Sequence, residues 1–90
     1  MATTTAEDRL LEQVLATFQN ASSPRLREVT EAAIRHMHAF VREVNLTQEE
    51  WMTAIQFLTA VGQKCDDVRQ EFILLSDVTG TSSLVEMINY

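Results

Sequence analysis

His36 and His38, separated by Met37, are the two histidines of the chain and its most direct candidates for metal ligation. On a strand, residues two apart share a face and can hold one ion. In a helix, two residues turn about 200°, which leaves these imidazoles about 160° apart. The apolar spacing around them is helical, so His36 falls at the edge of the apolar stripe and His38 among the charges. Both read as ordinary packing and surface histidines. Cys65 has no histidine near it in sequence and precedes Asp66 and Asp67, whose charges oppose thiolate formation. Ser76-Asp77 lacks a G-x-S-x-G elbow, and no G-x-x-x-x-G-K or G-x-G-x-x-G occurs to cradle a phosphate. Glu49-Glu50 and Asp66-Asp67 have the form of acid/base dyads, yet each pair sits where a helix begins and a carboxylate favours the dipole. No catalytic residue and no metal ligand is assigned.

Charge and composition exclude further classes. Seven Lys+Arg against thirteen Asp+Glu give a formal charge of −6. That field repels the phosphates of nucleic acid and of anionic lipid surfaces, so neither a nucleic-acid binder nor a polybasic anchor is expected. The single cysteine makes no intrachain disulfide and no C-x-x-C site. The opening MATTTAEDR has no basic n-region and no apolar h-region, and no apolar run approaches the roughly 20 residues of a membrane span. The expectation is a single cytoplasmic domain over residues 1–90.

The elements that must position these residues are helices. Leu10, Leu11, Val14, Leu15 and Phe18 mark a first helix from about Ala6 to Gln19. Ser22-Ser23 before Pro24 reads as an N-cap followed by a proline at the first helical position. The helix it opens runs to about Val44, with Leu26, Val29, Ala33, Met37, Phe40, Val41 and Val44 on one stripe. Thr47 and Glu50 have the spacing of a capping box, and Leu46 with Trp51 that of a hydrophobic staple, which starts a third helix. Gly62 near its end is a place for close packing. Asp66 or Asp67 is expected to open a fourth helix, Gly80 to close it, and Ser83 with Glu86 to cap a short helix ending near Asn89. On this reading Glu7, Asp8, Glu49, Glu50, Asp66, Asp67 and Glu86 all lie at helix starts. The expected fold is all-α, a compact bundle of four helices plus a short C-terminal helix.

The fourth helix is the informative one. Advancing about 100° per residue, Val68, Phe72 and Leu75 share a face while Ile73 and Leu74 fall to either side. A helix apolar nearly all round must be covered nearly all round, and ninety residues make a thin core. Two readings are open: a central helix in a monomeric bundle, or apolar surface covered by another chain or domain.

Three segments carry a family signal: RLREV (25–29), RHMHAFVREVNLTQEEWMTAIQFLTAVGQ (35–63) and DDVRQEFILLSDVTGTSSLVEMIN (66–89). Together they resemble the N-terminal helical domain of intradiol ring-cleavage dioxygenases. HAFVREV and RQEFILLSD are most similar to the hydroxyquinol 1,2-dioxygenase branch rather than to plain catechol 1,2-dioxygenases. The resemblance implies a cytoplasmic enzyme of aromatic catabolism, dimeric through its N-terminal helices around a hydrophobic tunnel that often holds phospholipid. It also implies a separate β-sandwich that binds Fe(III) through two tyrosines and two histidines. That sandwich is absent from these ninety residues. With one tyrosine, and with both histidines in the helical part, they hold no iron site, so no cofactor is assigned to this chain.

The partners expected are therefore a second copy or a dioxygenase subunit, and phospholipid. The interface and tunnel candidates are Leu10, Leu11, Val14 and Phe18 on the first helix, Trp51, Ile55 and Leu58 on the third, and Phe72, Ile73 and Leu74 on the fourth. Plain core packing is the competing reading for each. Arg25 and Arg27 oppose the dipole at the start of the second helix. They are candidates for a lipid phosphate or for salt bridges with acids elsewhere. Three readings of function follow. The chain is the dimerisation and lipid-tunnel domain of a hydroxyquinol-type dioxygenase, or a free-standing helical protein that pairs with a full-length dioxygenase, or, least supported, an enzyme by itself.

Overall fold

Each helix of the computed structural model, which describes residues 5–90, starts at an identifiable backbone device. The helices are α1 (Ala6–Ala16), α2 (Pro24–Val44), α3 (Gln48–Gln63), α4 (Glu71–Val78) and α5 (Thr81–Asn89). No strand occurs among the described residues, so the all-α expectation holds. The first four residues, part of the stretch read for a secretory signal, lie outside the described ones.

The chain divides into two units, Met1–Leu46 and Thr47–Tyr90. In the first, α1 and α2 form a helical hairpin. Thr5 and Asp8 make a reciprocal capping box: the Asp8 N–H donates to Thr5 Oγ1 and the Thr5 N–H to Asp8 Oδ2, both at 3.0 Å. The helix ends at Ala16, three residues before the expected Gln19. Thr17 Oγ1 donates to the Val14 carbonyl at 2.6 Å, and Phe18, Gln19 and Ala21 continue with i to i−3 bonds. A tighter turn thus replaces the last α turn. Helix α2 begins and ends where its sequence says. Ser23 accepts from the Leu26 N–H at 3.0 Å, Pro24 takes the first position, and Asn45 closes the helix in the left-handed region at φ 50.

In the second unit, α4 packs against both α3 and α5. The Thr47–Glu50 capping box is formed in full, with Glu50 N–H to Thr47 Oγ1 at 3.1 Å and Thr47 N–H to Glu50 Oε1 at 2.9 Å. Neither Asp66 nor Asp67 opens α4. Asp66 Oδ1 instead accepts from the N–H groups of Val68 at 2.9 Å and Arg69 at 2.7 Å, a turn that uses the carboxylate before any helix forms. Gln70 then caps α4 by accepting from the Phe72 N–H at 3.2 Å. Val68 consequently lies outside the helix and is 95% exposed, so it is not part of the expected α4 face.

The terminal capping box is also replaced. Gly80 stands at φ 78 and lets α5 begin at Thr81, which places Ser83 and Glu86 inside the helix. The elbow between α4 and α5 is tied by two hydroxyl pairs, Ser76 with Ser82 at 2.6 Å and Thr79 with Thr81 at 2.8 Å. Of the seven acids expected at helix starts, Glu7, Asp8, Glu49 and Glu50 are there, joined by Glu71, while Asp66, Asp67 and Glu86 are not.

Gly62 is not required by crowding. A methyl there would stand 3.8 Å from Cζ of Phe72, an ordinary contact. Gly62→Ala should therefore raise stability by about 0.5 kcal/mol, because alanine loses less backbone entropy in a helix. A thermal melt should show the midpoint rising by roughly 2–4 °C.

Candidate functional site

Chemistry-bearing side chains in this chain mostly hold the fold. Arg42, in the last turn of α2, reaches the first turn of α1 and places Nε 3.0 Å from Glu7 Oε1 and Nη1 2.9 Å from Asp8 Oδ1. The contact sets α1 antiparallel to α2. The Thr5 backbone N–H, and after it the Arg42 guanidinium, lowers Asp8 to a pKa of about 2. Asp8 reciprocally raises Arg42 above its usual value. Glu50 is lowered by its Thr47 cap, and Asp66 by the Val68 and Arg69 N–H groups.

A carboxylate whose folded pKa lies below its unfolded one stabilises the fold above the unfolded value, and that stability is lost as pH falls toward the folded value. The contribution of Asp8 should be intact above about pH 5 and fade between about pH 4 and 2. Thermal melts across that range should show a steep loss in the parent chain and a shallower one in Asp8→Asn. Equal slopes would mean that the clasp contributes nothing.

Three further arginines pair locally. Arg25 Nη1 lies 2.9 Å from Glu28 Oε1, and Arg27 Nε lies 3.1 Å from Glu31 Oε1, partners three and four residues along the same helix. Such pairs offset the unfavourable dipole and are worth a few tenths of a kcal/mol each. Arg69 pairs with Glu71. The half-buried Cys65 thiol donates to Gln70 Oε1 at 3.3 Å and to the Val61 carbonyl at 3.5 Å. Among the described residues, no three His, Cys, Asp or Glu side chains come together in a way that could hold a metal ion. Nor is any helix among them long and apolar enough to cross a membrane.

What the structure does present is uncovered apolar surface. No described residue is fully buried. The α2 positions that lose most solvent are Thr30, Glu31, Ile34 and His38. Thr30, Ile34, His38 and Arg42 form an i, i+4 ridge, and Arg42 identifies it as the ridge that α1 lies along. The main apolar stripe of α2 lies about 120° farther round the helix. Along it Leu26, Val29, Met37, Phe40 and Val44 remain 49–54% exposed. Leu11 and Val14 on α1, and Phe18 in the turn after it, are half-buried while Leu10 stays exposed.

The second unit repeats the pattern. Trp51, Ile55 and Leu58 lie along α3 and remain about 40% exposed. Phe72 meets α3 at Gly62. Ile73 and Leu74 are more than half exposed. Between α3 and α4 lies a groove of about 320 Å³ lined by Phe57, Ala60, Val61, Lys64, Glu71, Leu74, Leu75 and Val78. Of the sequence candidates, Leu74 alone lines it. Phe57 and Val61 on α3 and Lys64 at its C-cap have i, i+4, i+7 spacing, a signal present in the sequence. The α2 stripe was legible as a stripe, and its periodicity gave no sign that α1 would leave it open.

Comparison with known proteins places this helical arrangement. The family described as catechol dioxygenase N terminus matches residues 23–90. Hydroxyquinol 1,2-dioxygenase of Rhodococcus opacus is 57% identical over 76 residues, which cover 84% of this chain and 25% of that protein. The enzyme of the same description from a Rhizobium strain is 48% identical over 84 residues, covering 93% of this chain and 28% of that protein. The crystal structure of hydroxyquinol 1,2-dioxygenase from Pseudomonas putida DLL-E4 superposes with a TM-score of 0.87 at 50% identity, covering 92% of this chain and 29% of that one. The chain thus spans between a quarter and a third of the length of these relatives.

Proposed function

This chain belongs to the catechol dioxygenase N-terminal domain family, and on that premise we propose that it is the assembly domain of a hydroxyquinol-type 1,2-dioxygenase, a cytoplasmic enzyme of aromatic-compound catabolism. Its role is to join two subunits through apolar helix faces and to enclose a phospholipid between them. The observation that carries this reading is the α2 stripe, half exposed along the helix although α1 is docked on the same helix. The α3–α4 groove, apolar except for Lys64 and Glu71, supports the lipid part of the reading by offering room for an acyl chain.

The catalytic part of the reaction lies outside these residues. A two-tyrosine, two-histidine Fe(III) site does not fit this chain, whose one tyrosine is Tyr90 and whose His36 and His38 project from different sides of α2. No step of ring cleavage is assigned to it. Sedimentation velocity of the purified chain, with organic extraction and mass spectrometry of what it retains, tests the proposal. The expected result is a dimer carrying phospholipid. A strict monomer that retains no amphiphile would overturn it.

A further inference from the structure

We draw no further inference here: the strongest candidate, the apolar groove between α3 and α4 with Lys64 among its lining residues, belongs to the lipid-binding surface already proposed, and nothing in the structure shows what else covers it.

Discussion

With the α2 stripe as the proposed subunit face, replacing Met37 and Phe40 together by glutamate should give a monomer whose helices are intact. Both residues lie on the α2 stripe and are more than half exposed, so the substitution removes little packing within the hairpin. In the assembled state the same positions would be desolvated. An unpaired charge in such a setting costs roughly 3–5 kcal/mol. Each 1.4 kcal/mol is tenfold in the dissociation constant, so the dimer should weaken on the order of a hundredfold or more. Sedimentation equilibrium reads the change, and far-UV circular dichroism reads helicity. Ile34→Glu is the informative companion, because Ile34 lies on the ridge toward α1 and is half-buried. It should lower the thermal midpoint through the loss of α1 docking and leave association less affected. If the stripe variant melts early while its association is unchanged, the stripe is packed within the chain and the assembly reading of α2 fails.

Gly80→Val should have the largest effect on the second unit. At φ 78 the backbone is in the left-handed region, where a side chain crowds its own carbonyl and costs roughly 1–2 kcal/mol, with β-branched residues at the upper end. No side chain or backbone lies within 4 Å of a Cβ built there, so the penalty is conformational rather than a clash. For a chain of this size the thermal midpoint should fall by roughly 5–15 °C. Gly80→Asn should fall much less, since asparagine tolerates this region, as Asn45 does at φ 50 in the same chain. Equal melts for the valine and asparagine variants would show that the α4–α5 elbow is held by its hydroxyl pairs and not by the glycine.

Local signals were the readable part of the sequence. Pro24 after Ser23, and Thr47 with Glu50, act through bonds three residues long, and both helix starts appear where those residues stand. Thr5 with Asp8 has the same spacing but gives a weaker signal, because aspartate is a shorter partner than the glutamate of the usual box. The start of α4 differs from the expected one because Asp66 satisfies two N–H groups in a turn as readily as at a helix end. The choice of partner for each face was not readable. Periodicity shows that α2 has an apolar stripe, yet Arg42 selects where α1 docks, through acids 34 and 35 residues earlier in the chain. The family resemblance in HAFVREV and RQEFILLSD supplied what spacing could not, the hydroxyquinol branch to which the similar proteins belong.

Each unit is closed by helices adjacent in sequence, which gives the proposed assembly a definite timing. Hairpins of neighbouring helices form in microseconds to milliseconds, since little loop entropy opposes their contacts. Encounter between two folded proteins proceeds at about 10⁵–10⁷ M⁻¹s⁻¹, or roughly 0.1–10 s at micromolar concentration. On the proposed role of the α2 stripe, folding finishes long before partners meet. During that interval the α2 stripe stands in water on a finished helix, and chain concentration, rather than folding speed, sets how long it stays there.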